Sequence, residues 1–352
     1  MRHLNTSARI VVLSGMNRYD WKWNLADVVQ DKDVTVFSTF SCGGGSSMGY
    51  KRAGFKVLGN VEIDPKINDM YITNNKPKYN YCEDLRLFNE RDDLPDELYH
   101  LDILDGSPPC TSFSTAGLRE KTWGKQKKFR EGQKLQTLDD LFFVFLDTVE
   151  KLQPRVVIAE NVVGLIKGKA KGYMKMVIDR FKELGYDVQV FSLNAAHMDV
   201  PQARHRVFVI ANRCGFSKLS LKFDYTPIFF KEVRLEKGIP ISSGITTTLL
   251  SKAVEGDKTL GDVAERLTGD KNKYFTHMIV NDNQVAPTIT SGGSFCRMFD
   301  KTRLTDEDFR NVQTFPQDYN FKGNNVQYVC GMSVPPNMMA NIATEVYEQW
   351  LK

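Results

Sequence analysis

Apolar residues along this chain fall into short continuous runs separated by helical stripes. Residues 34–40 are β-branched and aromatic and predict a buried strand. The run Ser41-Cys42-Gly43-Gly44-Gly45-Ser46 breaks it, and Ser46 or Ser47 is placed to cap a short helix that ends before Gly54. Residues 56–61 form the next strand, with Glu62 and Asp64 at its C-terminal end and Pro65 at the first position of a helix. In residues 138–152, Leu138, Leu141, Phe142, Phe145, Leu146, Val149 and Leu152 recur at helical spacing. A strand over 156–159 follows at once, then a helix over about 172–184, a strand near 188–193 and another over 206–211. Near the C-terminus, residues 304–313 predict a helix opened by Thr305 with Glu307 and Asp308 in its first turn. The last helix starts after Pro335-Pro336, with Met339, Ile342, Ala343, Val346, Tyr347 and Trp350 on one stripe.

Strands alternating with helices up to residue 212 predict an α/β domain with a largely parallel sheet. Residues 1–33 have weak periodicity and read as an N-terminal extension. From 214 to about 285 the pattern is irregular and polar, which marks a separate module or a long insertion. The 352 residues, 41% of them hydrophobic, suffice for a sizeable core, and a net charge of +4 permits a polyanionic partner without demanding one. Six cysteines without CxxC spacing argue against a zinc or dithiol centre and for a reducing compartment. No metal site is expected. No apolar run reaches the roughly 18 residues of a membrane span, so a cytoplasmic protein is expected.

The sharpest chemical feature is Leu104-Asp105-Gly106-Ser107-Pro108-Pro109-Cys110. Two prolines fix the backbone directly before a thiol at the end of an apolar strand. A lone cysteine is usually a small buried hydrophobe. Here its rigid presentation at a strand end points to a nucleophile, because ligands of open α/β sheets bind beyond those ends. Residues 119–134 carry seven Lys or Arg against two Glu, with glycines at 117, 124 and 132. They make either a solvated basic loop or a lid that closes over phosphates. The glycine loop is a plain tight turn or an anion cradle, and Glu62, about 20 residues on, favours a nucleoside cofactor. Glu160 ends an apolar strand as an acid/base or as a structural cap. Arg204 and Arg206 share a face by strand alternation, to hold an anion or a pyrimidine carbonyl, or simply to aid solubility.

Seven stretches, in this order, resemble the C5-cytosine DNA methyltransferase family of prokaryotic or phage type. They are 37–45 (FSTFSCGGG), 61–64 (VEID), 106–117 (GSPPCTSFSTAG), 160–162 (ENV), 202–206 (QARHR), 304–316 (LTDEDFRNVQTFP) and 331–341 (GMSVPPNMMAN). The resemblance implies an S-adenosylmethionine-dependent, Rossmann-like fold with a mixed, mostly parallel sheet, helices on both faces and a smaller target-recognition domain. It divides the chain into an extension (1–33), a first catalytic part (34–212), the target-recognition domain (213–301) and a return segment (302–352). For the donor S-adenosyl-L-methionine it implies Phe40, Gly43, Gly45, Glu62 on the ribose, Ile63 on the adenine, Asp84 on the adenine amino group, Pro109 and Ser333. It makes Cys110 the nucleophile, Glu160 the group at the cytosine N3/N4 edge, and Arg204 with Arg206 the clamp on a flipped base. Contacts to DNA fall to Ser114, Lys127, Lys128, Thr288, Gly292 and Gly293. The chain departs from the family's usual Gly-Asn-Ser-Val at Gly331-Met332-Ser333-Val334. The implied activity is methylation of double-stranded DNA by a monomer, within a restriction–modification system, a phage or a solitary system. A tRNA methyltransferase on the same scaffold and a catalytically silent DNA-binding homologue are the alternatives.

Overall fold

A computed structural model describes residues 18–109, 126–127, 136–137, 140–168, 170–242, 244–269 and 274–352. The strands are β1 (Thr35–Thr39), β2 (Lys56–Val61), β3 (Tyr79–Tyr81), β4 (Ile103–Gly106), β5 (Gln126–Lys127), β6 (Gln136–Thr137), β7 (Val156–Val162), β8 (Asp187–Asn194), β9 (Gln202–Ala203) and β10 (His205–Asn212). Seven of them form one sheet in the order β3-β2-β1-β4-β7-β10-β8. The pairs from β3 through β7 are parallel. β10 runs antiparallel to both β7 and β8. β5 and β6 form a separate antiparallel pair inside the basic segment.

The helices of the first half are α1 (Gly45–Arg52), α2 (Pro65–Asn75), α3 (Leu85–Glu90), α4 (Leu141–Leu152) and α5 (Ala170–Glu183). Then come α6 (Phe230–Val233), α7 (Ile245–Ser251), α8 (Leu260–Thr268), α9 (Asp306–Val312), α10 (Val326–Met332) and α11 (Pro336–Val346). Alternation in the central strands explains their continuous apolar runs. Phe37, Val157 and Ala159 pack under α3, α4 and α5, while Val36, Val156 and Ile158 pack on the opposite face with α1 and α11. Both faces are covered, so no strand position is left for a polar side chain by default. Among the described residues, no helix is long and apolar enough to cross a membrane.

The long segment after β10 does not form a single body. Phe216, Leu219 and Leu221 join the core beside α11. Ile228, Phe230, Ile289 and Phe295 share a cluster with α9 and α10. Leu249, Leu250, Leu260 and Val263 form a small core of their own with Ile279 and Cys296, which lie on β11 (His277–Val280) and β13 (Ser294–Arg297). α9 begins as predicted, with Thr305 and Asp308 in a reciprocal capping box. α1 does not: its N-cap is Gly44 at φ 78, with no side-chain cap. Ser47 instead hydrogen-bonds the Tyr71 hydroxyl at 2.8 Å, and Ser46 is directed at Asp105.

Residues 18–23 of the N-terminal extension form a strap. The backbone N–H groups of Arg18 and Tyr19 donate to Asp199, and Trp23 donates to the Thr314 carbonyl at 2.9 Å. Arg52 lies between the rings of Tyr19 and Trp23, 5.0 and 4.6 Å from their centroids.

α1 packs on α11 through Gly49. A β-carbon there would stand 2.6 Å from both the Met339 Cβ and the Pro336 carbonyl oxygen. Gly49→Ala gains about 1 kcal/mol of helix propensity but forces two backbones apart, at a cost of about 1–3 kcal/mol. The contact wins because one obstacle is main chain, so the variant should unfold at lower denaturant concentration in a urea titration followed by circular dichroism.

Candidate active site

Strand order reverses between β1 and β4: the chain leaves β1 for β2 on one side, and β4 and β7 are laid down on the other. A crevice opens at the C-terminal ends of such strands, and a cleft of about 120 Å³, partly open to solvent, stands there. Its apolar walls include Phe40, Val61, Ile63, Leu85 and Leu141, and its acidic rim is Glu62, Asp64, Glu83 and Asp84. Cys42, Ser107, Pro109, Tyr328 and Met332 complete the lining. The sequence-predicted donor residues Phe40, Glu62, Ile63, Asp84 and Pro109 thus converge on one cavity.

Each is held by its element. Phe40 leaves β1 at φ 51 and Cys42 follows at φ 44, so the chain turns sharply before the glycines. A β-carbon at Gly43 would come within 2.6 Å of Val329, and one at Gly45 would run into the Val334 carbonyl oxygen. The glycine loop is therefore pressed onto the backbone after α10. Tyr319 donates to the Gly43 carbonyl at 2.7 Å from the same side. Ser333 points its hydroxyl at the Cys42 sulfur, 3.8 Å away. Burial pushes the Cys42 thiol up to about 12, so this cysteine stays neutral.

Glu62 accepts from the backbone N–H of Cys42 at 2.8 Å and of Asp64 at 3.0 Å. Burial still raises its carboxyl above the ordinary range. Remaining lone pairs on a fixed carboxylate suit a vicinal diol. Asp84 caps α3 by accepting from Arg86 N at 2.9 Å and pairs with the Arg86 guanidinium at 3.2 Å. Apolar walls, a fixed carboxylate and the uncapped first turn of α1 together fit a nucleoside joined to an acidic tail. Among the described residues, no cluster of His, Cys, Asp or Glu could hold a metal.

Across the cleft mouth, the turn after β4 is tied down by Asn161, whose side-chain amide donates to the Pro108 carbonyl at 3.0 Å. Glu160, one residue earlier on β7, pairs with Arg206 of β10 at 2.9 Å, and both side chains are largely covered. Arg204 lies within electrostatic reach of Arg206 and Glu160, but the two arginines do not sit on one continuous strand. β9 leaves the main sheet to pair with β12 (Ala286–Pro287), so strand alternation is interrupted between the two arginines. Arg204 is buried and donates to the carbonyls of Ile289 at 3.0 Å and Gly331 at 2.9 Å. Burial lowers its guanidinium to about 9.

Thr288 donates to the Ala203 carbonyl at 2.7 Å. Gly293 lies at φ 91, and Gly292 has open space around it. Gln327 fastens this loop by donating to the carbonyls of Thr290 and Gly293. Cys110, Ser114 and Lys128 lie outside the described residues, as does the side chain of Lys127.

Sequence reasoning missed Asn161 as the tie on the Pro108 turn, Tyr319 beneath Gly43, and Gln202. Gln202 accepts from Ile289 N at 3.0 Å and donates to Gln313, which in turn donates to the Ser333 carbonyl. Asn161 and Gln202 carried a local signal, through their places in Glu-Asn-Val and Gln-Ala-Arg-His-Arg, and Tyr319 carried none.

Comparison with known proteins agrees with this arrangement. The profile of C-5 cytosine-specific DNA methylases matches residues 34–302. This chain belongs to that family. The Staphylococcus aureus type II methyltransferase M.Sau96I is 32% identical, over 95% of this chain and 81% of its own. M1.HphI of Haemophilus parahaemolyticus, also a type II methyltransferase, is 28% identical over 89% of this chain and 86% of its own. Among solved structures, an E. coli prophage protein described as a DNA modification methyltransferase superposes with a TM-score of 0.64. It is 19% identical, with 91% of this chain and all of that one covered. A Spodoptera frugiperda DNMT2 mutant gives 0.60 at 15% identity, with 90% and 100% covered. These two likenesses establish the same fold. The chain is thus an α/β methyltransferase of the DNA-methylating class.

Removing the Arg204 guanidinium takes its donors from two buried carbonyls and leaves the 288–293 loop held to α10 by Gln327. Arg204→Ala should lose about 2–4 kcal/mol of stability, measured as a lower unfolding midpoint in urea. Unchanged stability would show that the buried strut carries no weight.

Proposed function

We propose that this protein transfers the methyl group of S-adenosyl-L-methionine to C5 of a cytosine flipped out of a specific duplex DNA sequence, through a transient bond between Cys110 and C6. The observation that carries the reading is convergence at the strand switch point. Ser107 and Pro109 of the turn that leads to Cys110 line the cleft, Asn161 ties that turn at Pro108, and Glu160, next to Asn161 on β7, is held by Arg206.

The bound donor supplies an electrophilic methyl on a sulfonium. Cytosine C5 is too poor a nucleophile to take it unaided. The Cys110 thiolate would add to C6 and turn the ring into an enamine, whose C5 would bond the methyl carbon as the sulfur–methyl bond breaks and its electron pair leaves with the thioether. A base removes the C5 proton, the ring electrons expel the thiolate, and aromaticity returns. Glu160 holds the N3/N4 edge and stabilises charge that develops there, and Arg206 both fixes Glu160 and reaches the pyrimidine carbonyl. Arg204, buried behind them, positions the recognition loop. Phe40, Ile63 and Pro109 pack on the donor's nucleoside, Glu62 takes the ribose, Asp84 the adenine amino group, and Gly43, Gly45 and Ser333 shape the tail pocket.

The target carbon lies inside the base stack, so extrusion of the nucleotide is required. Residues 213–301, with Thr288, Gly292 and Gly293 at a tethered loop, are assigned to target recognition, and the basic segment with Ser114, Lys127 and Lys128 to the phosphates. This long added module favours duplex DNA over tRNA. The protein acts as a monomer in the cytoplasm of a prokaryotic or phage-infected cell.

Cys110→Ser should abolish transfer of labelled methyl to duplex DNA while leaving binding of the donor intact. The unmodified protein should form a denaturation-resistant adduct with duplex DNA carrying 5-fluorocytosine, and should not methylate tRNA in a parallel reaction. Normal methylation by the Ser variant, or preference for tRNA, overturns the reading.

A further inference from the structure

Asp105 is a carboxylic acid in the middle of the sheet. It lies on β4, 2% exposed, opposite Ser38 of β1 in the strand register. Three hydroxyls from two elements, β1 and α1, serve it. Ser38 donates at 2.7 Å, Tyr50 of α1 at 3.2 Å, and Ser46 in the first turn of α1 is directed at it. Among the described residues, no lysine, arginine or histidine forms an ion pair with it. A buried carboxylate without a cation is expensive, and an amide or a hydroxyl at this position would satisfy much of the same network at lower cost.

The carboxyl borders a side cavity of about 10 Å³, room for one water-sized group. Phe40, Cys42, Ser107 and Met332 line both this cavity and the main cleft, so the two adjoin. Apart from Val334, the rest of its lining is polar or small, including Ser41, Gly45, Ser46 and Ser333.

We propose that Asp105 is the receptor for the α-ammonium group of the methyl donor's amino-acid end, seated in this side cavity. The inference rests on the reading of the main cleft as a methyl-donor site, and assigns to it a positively charged tail group. An ammonium is the size of a water, brings three donors, and supplies the missing cation. The donor's carboxylate then faces the Ser333 hydroxyl and the uncapped first-turn N–H groups of α1, which suit an anion. Asp105 thereby reads the tail's polarity: ammonium toward β4, carboxylate toward α1.

A dependence on pH follows. Burial raises the Asp105 carboxyl to about 7 when no ligand is present. The other titratable groups around it are Glu160 on β7, engaged by Arg206, with Tyr50 on α1 and Tyr71 on α2. The ammonium binds the ionised form, so a proton must leave when the ligand enters below that pH. Affinity is therefore flat above about 7.5 and falls as pH drops, approaching about tenfold per pH unit.

Calorimetric titration of the full chain tests this, using S-adenosyl-L-homocysteine and its deaminated analogue, with hydrogen in place of the amino group, from pH 5.5 to 8.5. S-adenosyl-L-homocysteine should show the acid-side loss and the deaminated analogue should not. At pH 8, Asp105→Asn should bind S-adenosyl-L-homocysteine about 10- to 100-fold more weakly, the worth of one charge-assisted hydrogen bond, and should bind the deaminated analogue as the unmodified protein does. Equal weakening of both ligands makes Asp105 a scaffold residue and overturns the inference, as do identical pH profiles for the two ligands. If the variant does not fold, the two profiles of the unmodified protein decide alone. Binding of neither ligand at any pH overturns the methyl-donor reading itself.

Discussion

Main chain meets main chain where the glycine loop passes the Ser333–Val334 backbone, with no room for a side chain at Gly45. The rest of the site depends on this contact. It sets how far the end of β1 stands from the C-terminal segment, and so how wide the crevice opens. It leaves α1 without a side-chain cap, because Gly44 occupies the capping position in a left-handed conformation. It also brings Ser333 against Cys42 and Met332 into the cleft wall. Three glycines in a row follow from a need for proximity more than for flexibility.

Charge around the cleft is arranged in two ways. Glu160 and Arg206 neutralise each other in a largely covered pair, which holds both at the sheet end without leaving an uncompensated ion. Among the described residues, Glu62 and Asp105 have no such partner. Backbone N–H groups hold one and hydroxyls the other, and burial raises both carboxyls. The paired side is suited to managing a proton at a base, the unpaired side to receiving a ligand that carries hydroxyls and positive charge.

Much of this was legible in the residue pattern because it is local. The strand before the glycines, the carboxylate at the end of β2, Pro65 opening α2 and the Thr305 box opening α9 each depend on neighbours a few positions away. The mistaken expectations are non-local. Arg204 and Arg206 looked like one face of one continuous strand, but β9 is drawn off by Ala286–Pro287, more than eighty positions downstream, and no local pattern announces that break. Ser46 looked like a cap, and is instead directed from α1 at the Asp105 carboxyl on β4. Asp105 stood inside a quoted motif with no assigned task, since its significance comes from Ser38, Tyr50 and Ser46 converging on it from β1 and α1.

The strap at the N-terminal end gives the chain a closed order of assembly. Arg18 reaches Glu345, 327 positions away, and Asn337 of α11 binds the carbonyls of Tyr19 and Asp20 as well as Arg52. A chain emerging from the ribosome therefore holds its strap and glycine loop without the surfaces they rest on until α10 and α11 are made. Closing so long a loop is entropically late. The cleft wall at Tyr328 and Met332 thus waits on a segment made about 290 positions after the glycine loop it faces.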